Sequence, residues 1–326
     1  NPLLSDDTLY MVNALKELNF NIEIDDDNNI QIEGSNGKLT PTGNKTLYIG
    51  NSGTCMRFLL SLMYLLEDNT ICLTGDERMK DRPIQDLLDT LVDSGITLET
   101  SNPITIIGSK TTKKNYISLN CSLSSQYLTG LMLVGSCIPE GLKIYIINDL
   151  VSRQFIDMTI TIMNKFGINV EWCKELNNHY IYIPYKLYNN PDSYQIEADA
   201  TSCSYPIAYS ILNQIPLYIP NLTSMNSQGD LFYSTTIIQK FGDFNLECNE
   251  NGTTISNFNS KNKILSLCDL NEIDMDSSDT FLTIAVLASL TSEGNKTTII
   301  NIDNQNIKEC NRIEVIYQHL KNAGVN

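Results

Sequence analysis

Apolar positions recur along this chain in two interleaved patterns, and both patterns are helical. In the first, apolar residues three and four apart fill one face of a segment that ends in a small or polar residue and runs into an alternating stretch. VNALKELNFNIEI turns this way at Asn19, LLDTLVDSGITLE at Gly95, ITIMNKFGINVEW at Gly167, TTIIQKFGDFNLEC at Gly242 and VIYQHLKNAGV at Gly324. In the second, a turn of small or polar residues opens a helix that is apolar almost all round. These are GTCMRFLLSLMYLL from Gly53, SSQYLTGLMLVGSC from Ser124, TSCSYPIAYSIL from Thr201 and DTFLTIAVLASL from Asp279. Members of each series follow one another at about 75 residues, the signature of tandem copies of one unit. Short β-rich runs at 70–74, 143–147, 216–220 and 297–302 lie among the helices. Each copy therefore reads approximately strand, helix, strand, strand, helix, strand, an α/β pattern. The series opens and closes on a helix of the first type, so the expectation is a chain that starts and stops in mid-pattern. The turn-forming run Asn189-Asn190-Pro191-Asp192 divides it into two domains of related architecture, residues 1–190 and 191–326.

Composition narrows the function. The longest apolar run, 58–66, is far short of the ~20 residues that span a bilayer, and no signal-like segment opens the chain, which leads us to expect a cytoplasmic protein. Nine cysteines stand at least sixteen positions apart, and His179 and His319 are the only histidines. That spacing predicts reduced, mostly buried thiols and no metal site. A net charge of −16 excludes nucleic acid and anionic membranes as partners. An anionic small molecule still fits if cations and helix N-termini gather locally.

Several motifs offer such a site. Gly53 and Thr54 leave backbone N–H groups uncovered at a helix start, and Arg57 lies one turn in. The ordinary reading is an N-cap with Arg57 paired to an acid. LTGDERMKDRPI packs Arg78, Lys80 and Arg82 into five residues at a strand end. Alternation would turn Arg78 into a cleft, whereas the ordinary reading is a solvated charge run. Ser124, Ser125 and Gln126 open the second buried helix, and Ser152 and Arg153 follow a strand at the same place in the repeat as Arg78. Asp279 opens the fourth buried helix, as a cap or as a partly desolvated base. Lys308, Glu309 and Arg312 lie together in DNQNIKECNRI, where the ordinary reading is an ion-paired surface helix. All these positions fall at one end of the repeat unit, which collects helix N-termini at one face.

GNSGTCMR, LTGDERMKDRPI, SSQYLTGLM, EADATSCSYP, DMDSSDTFLT and NQNIKECNR resemble, in order and spacing, the motifs of the 5-enolpyruvylshikimate-3-phosphate (EPSP) synthases. The wording is closest to the synthase domain inside the pentafunctional arom polypeptide, and the resemblance spans essentially the whole chain. It implies two similar domains of repeated βαβαββ units, the inverse α/β barrel of enolpyruvyl transferases, closing over the substrates. About four and a half of six units are present, so the resemblance implies truncation at both ends, without an upstream Lys-Ser-x-Ser segment and a downstream arginine and lysine.

The implied reaction, 3-phosphoshikimate 1-carboxyvinyl transfer, moves the enolpyruvyl group of phosphoenolpyruvate to the 5-hydroxyl of shikimate 3-phosphate and releases phosphate, with no cofactor. By resemblance, Ser124, Ser125, Gln126, Ser152, Asp279, Asn304 and Lys308 hold shikimate 3-phosphate. Gly53, Arg78, Gln126 and Arg312 hold phosphoenolpyruvate, with Thr54 and Arg57 in the same turn. Asp279 and Glu309, with Lys308 beside them, handle protons, Asp279 at the 5-hydroxyl and Glu309 at the methylene carbon. Phe155 stands where the family has a tyrosine. Other arom domains are the implied partners. The alternatives are an enolpyruvyl transferase acting on UDP-N-acetylglucosamine and a non-catalytic scaffold module.

Overall fold

The computed structural model describes residues 2–99, 104–108, 113–175, 178–258, 272–276, 278–291 and 296–325. Contacts divide the chain into two compact units, Asn1–Pro191 and Asp192–Asn326. Among the described residues no helix is long and apolar enough to cross a membrane.

Unit 1 begins with α1 (Asp6–Glu17), started by a capping box in which Ser5 N donates to Thr8 Oγ1 at 2.9 Å. An antiparallel hairpin follows, β1 (Ile22–Ile24) and β2 (Ile30–Ile32). Two full copies of the repeat come next. The first runs β3 (Lys45–Tyr48), α2 (Gly53–Leu62), β4 (Thr70–Thr74), α3 (Gln85–Asp93), β5 (Thr97–Glu99) and β6 (Ile104–Ile107). The second runs β7 (Tyr116–Leu119), α4 (Gln126–Gly135), β8 (Leu142–Ile146), α5 (Arg153–Lys165), β9 (Glu171–Glu175) and β10 (Asn178–Ile183). Their sheets have the same order, β3-β4-β6-β5 and β7-β8-β10-β9, with a parallel first pair and antiparallel remainder. The order of elements within a copy is thus strand, helix, strand, helix, strand, strand. It differs from the order read off the sequence because both helices follow parallel strands, and the two remaining strands form one hairpin after the glycine.

The helices that the sequence marks as apolar all round fill the core. On α2, Cys55, Met56, Leu59 and Leu60 are buried, and so is Ser61. α2 packs on α4 so closely that a Cβ at Gly130 would come within 2.9 Å of Ser61 Cβ, which only glycine avoids. Ile71, Leu73, Ile106, Leu119, Ile144 and Ile181 line the inner sheet faces.

Unit 2 repeats the theme less regularly. It contains α6 (Ala200–Asn213), β11 (Leu217–Ile219), α7 (Asp230–Phe232), β12 (Asn245–Asn249), β13 (Gly252–Ser256), β14 (Glu272–Asp274), α8 (Phe281–Ser289), β15 (Thr298–Ile300) and α9 (Arg312–Asn322). Strands β11, β13 and β12 form one antiparallel sheet, and β14 and β15 pair in parallel. Residues 190–198 form no strand ahead of α6. Glu197 instead accepts bonds from Ser227 N (2.6 Å) and Ser227 Oγ (2.9 Å).

The helix expected to end at Gly242 is also broken: α7 passes into a π-turn over Tyr233–Ile237 and a 3₁₀ turn over Ile238–Phe241. Here Ser234 Oγ donates to Ala200 O and Thr235 Oγ1 to Leu231 O, while four consecutive residues, 235–238, are β-branched. Crowding and side-chain competition for carbonyls weaken regular α-helix at such a place. α6 and α8 meet through a buried hydrogen bond joining Ser204 and Thr283 (2.7 Å), the small-residue contact that Ser61 and Gly130 make in unit 1.

Candidate active site

In unit 1, functional side chains gather where helices leave the C-terminal ends of parallel strands. Ser52 caps α2, its Oγ accepting from Cys55 N at 3.3 Å. The ordinary reading of Arg57 as an ion-pair partner fails, because this buried guanidinium is held by neutral groups. Nη1 donates to Gln126 Oε1 (2.6 Å), Nη2 donates to Pro83 O (3.0 Å), and the Tyr127 ring lies 5.5 Å from Cζ. Gln126 Nε2 donates onward to Thr54 Oγ1 at 2.9 Å, which links Arg57, Gln126 and Thr54 in one chain. The Arg57 Nε is buried without a partner in the described structure.

Arg82 is the side chain that joins this group. Its Nη1 donates to Asn51 O at 3.2 Å, and its guanidinium covers Gly53. A Cβ at Gly53 would lie 2.8 Å from Arg82 Cζ and 3.1 Å from Arg57 Nη1, so two cations flank one bare Cα at a helix start. Burial, and then the charge of Arg82, push the Arg57 pKa down from its ordinary value. An anion seated here would relieve both penalties.

Arg78 is exposed. Glu77–Asp81 is a 3₁₀ turn capped by Asp76, not an extended strand end, so the two-residue alternation expected of this run does not apply. Met79 points into the core, while Arg78 faces water and pairs with Asp81 at 3.2 Å. Arg82, extended after the turn, points back to Gly53. The sequence reading counted Arg82 in a charge run without giving it a site role, and it missed Asn51, whose buried Oδ1 has no partner in the described structure. For Asn51 the signal was its place in GNSG; for Arg82 it was the proline that follows and ends the turn.

Ser124, Ser125 and Ser152 sit in two neighbouring loops joined by a hydrogen bond from Val151 N to Cys121 O (3.4 Å). Ser124 Oγ accepts from Gln126 N at 3.3 Å, while Ser125 is buried without capping α4. Ser152 is buried and left-handed, at φ 53° and ψ 47°, and it makes no side-chain cap bond to α5. A serine kept in that conformation is strained, as is common where a side chain serves a ligand. Phe155 lies in the first turn of the same helix.

In unit 2, Asp279 does not cap α8. The helix starts at Phe281, and the Asp279 carboxylate instead accepts Gln305 Nε2 (2.8 Å) and Arg312 Nη1 (2.8 Å), with Lys308 Nζ at 4.0 Å. Burial alone would raise its pKa, but Lys308, Arg312 and these hydrogen bonds together bring the carboxyl below its ordinary value. Lys308 and Arg312 do not share a helix, because α9 begins only at Arg312. Arg312 Nε and Nη2 grip Glu309 at 2.7 and 2.9 Å, and Nη1 also donates to Gln305 Oε1 at 2.9 Å. Burial would lower the Arg312 pKa, but the Glu309 and Asp279 carboxylates raise it instead. Gln305, fully buried, is a hub that the sequence reading passed over. Asn304 presents a buried Oδ1 without a partner in the described structure.

Comparison with known proteins places these motifs. Residues 1–326 match the family described as EPSP synthase (3-phosphoshikimate 1-carboxyvinyltransferase). The chain is 34% identical to pentafunctional AROM polypeptides of Lachancea thermotolerans and Saccharomyces cerevisiae, in each case across its whole length. It spans about a fifth of those relatives, 21% in both. Among solved structures, EPSP synthase from Acinetobacter baumannii superposes with a TM-score of 0.68 at 19% identity, covering 98% of this chain and 71% of that one. The enolpyruvyl transferase NikO from Streptomyces tendae gives 0.60 at 12% identity, covering 87% and 65%. At these identities the structures establish a shared mixed α/β fold. With the profile match running from the first residue to the last, the chain belongs to the EPSP synthase family.

Proposed function

We propose that the protein transfers the enolpyruvyl group of phosphoenolpyruvate to the 5-hydroxyl of shikimate 3-phosphate. The observation that carries this reading is the pair of guanidiniums, Arg57 and Arg82, flanking Gly53 at the start of α2. A site with two cations and free helix amides fits phosphate or carboxylate. Arg82 takes the role that the motif resemblance gave to Arg78. Arg57, Arg82, Arg312 and Gln126 bind phosphoenolpyruvate. Ser124, Ser125, Ser152, Asn304 and Lys308 bind shikimate 3-phosphate.

The reaction needs two proton transfers and no redox step. Asp279 accepts the 5-hydroxyl proton as that oxygen bonds to C2 of phosphoenolpyruvate, and Glu309 delivers a proton to C3, converting methylene to methyl. Elimination then returns a proton from the methyl group to Glu309 as the C2–O bond to phosphate breaks. The carboxyl of Asp279, held below its ordinary value, is ionised at neutral pH and ready to accept. Glu309 is gripped by Arg312 through two bonds, so substrate carboxylate must draw Arg312 away before Glu309 can deliver a proton. A cytoplasmic setting and further arom domains as partners belong to the same reading, the second of them supported by the AROM relatives.

Continuous phosphate-release measurement tests it. Release should require both substrates, fall about tenfold or more in Asp279→Asn, and fail when UDP-N-acetylglucosamine replaces shikimate 3-phosphate. Release with the nucleotide sugar, or undiminished release by Asp279→Asn, would refute the assignment.

A further inference from the structure

Asp230 has no part in the chemistry above, yet its side chain is completely buried. It opens α7, and its Oδ1 accepts hydrogen bonds from Ser278 Oγ at 2.5 Å and Thr280 Oγ1 at 3.1 Å. Those two residues bracket Asp279. Removing a carboxylate from water is expensive, and an apolar residue of similar volume would fill the space at least as well. The arrangement therefore points to what the carboxylate holds in place.

An aspartate ahead of an apolar helix ordinarily turns its side chain back onto the first amides. Here Ser278 Oγ, anchored by Asp230, takes the amide of Thr280 at 3.1 Å. The Thr280 hydroxyl is tied to the same carboxylate oxygen. With both neighbours fixed, the Asp279 side chain leaves the helix axis and meets Gln305, Arg312 and Lys308. The break in the helix after Asp230 serves the same end, since Ser234 Oγ pins that segment to Ala200 O.

We infer that Asp230 is a positioning residue: by clamping the hydroxyls of Ser278 and Thr280 it holds Asp279 against Arg312 and Gln305, away from the capping position of α8. The inference rests on the reading of Asp279 as a substrate-contacting base.

A double-mutant cycle tests it, read as the calorimetric Kd for shikimate 3-phosphate and as kcat, on protein whose fold is checked by thermal melting. Asp279→Asn should weaken both by about tenfold or more, the size of one charge-assisted contact. Asp230→Ala should produce a loss of the same order. Asp230→Ala combined with Asp279→Asn should be no worse than Asp279→Asn alone, because Asp230 acts through Asp279. Asp230→Asn keeps an acceptor oxygen of the same shape and should restore most of the loss.

Equal losses from Asp230→Ala in both backgrounds, or no loss in either, would overturn the inference while leaving Asp279 in its role. No effect of Asp279→Asn would overturn both. If Asp230→Ala does not fold, Ser278→Ala takes its place in the cycle with the same expectations.

Discussion

Replacing Arg82 with alanine, beside the matching change at Arg78, separates a residue that serves a ligand from one that serves only the surface. Arg82 donates a hydrogen bond to Asn51 O at 3.2 Å, and its positive charge depresses the pKa of Arg57. A bond of this kind contributes about 1 kcal/mol, and relief of the repulsion with Arg57 acts in the opposite direction. Stability without ligand should therefore stay within ~1 kcal/mol of the parent. Phosphoenolpyruvate loses a charge-assisted contact of roughly 1.5–3 kcal/mol, so its KM should rise about 10- to 150-fold. Arg78→Ala removes an exposed pair with Asp81, which contributes a few tenths of a kcal/mol to stability and nothing to the ligand. Its KM should change by less than about twofold. Initial rates of phosphate release against phosphoenolpyruvate concentration, with melting curves on the same samples, give both numbers. An Arg78→Ala effect as large as that of Arg82→Ala would refute the placement of the anion beside Gly53. So would a large loss of stability in Arg82→Ala that explains its KM.

Three further outcomes follow from particular contacts. Gly130→Ala gains helix propensity but drives a methyl into Ser61, and the net result should be a loss of ~1–3 kcal/mol in urea unfolding, partly recovered by adding Ser61→Ala. Ser152→Gly should raise stability by up to about 1 kcal/mol by removing left-handed strain, while weakening shikimate 3-phosphate binding through the lost hydroxyl, as calorimetry would record. Asp279 titrates lower folded than unfolded, so its contribution to stability is present above the ordinary carboxylate range and is lost as pH falls through its depressed folded value. The stability gap separating the parent from Asp279→Asn in urea melts should accordingly be widest near neutrality and close on acidification.

Helical periodicity located the regular helices well, because each long element buries a stripe or a whole surface and its sequence must say so. The two helix types and their spacing anticipated α1 to α6, α8 and α9 to within a turn. The order of strands within a copy was less legible, since pairing partners depend on sheet order and not on local pattern. The failure at Arg78 has a local cause. Residues 77–81 carry charges on both sides of Met79 and read as a solvated run, and the cap by Asp76 and the burial of Met79 make them a 3₁₀ turn. At Asp279 the expected helix cap is not what forms, since α8 starts at Phe281. Whether an aspartate caps its helix or leaves it is decided by Ser278 and Thr280 through Asp230, almost fifty positions away in the chain. Gln305 was hidden for a similar reason, because an amide in a polar run carries no mark of burial.

The two complete copies in unit 1 separate chemistry from architecture along the chain. The loops that leave the parallel strands β3 and β7, with the first residues of the helix that follows, hold Gly53, Thr54, Ser124 and Ser125, whereas the β5–β6 and β9–β10 hairpins close the sheets at their other edge. Selection on ligand and selection on folding therefore fall on different segments of each copy. A change in the first turn of α2 or α4 can retune what is bound without disturbing strand register, and a hairpin can drift in sequence while binding is preserved. For an engineer, that makes the loops after the parallel strands the places to randomise and the hairpins the places to repair stability lost in doing so.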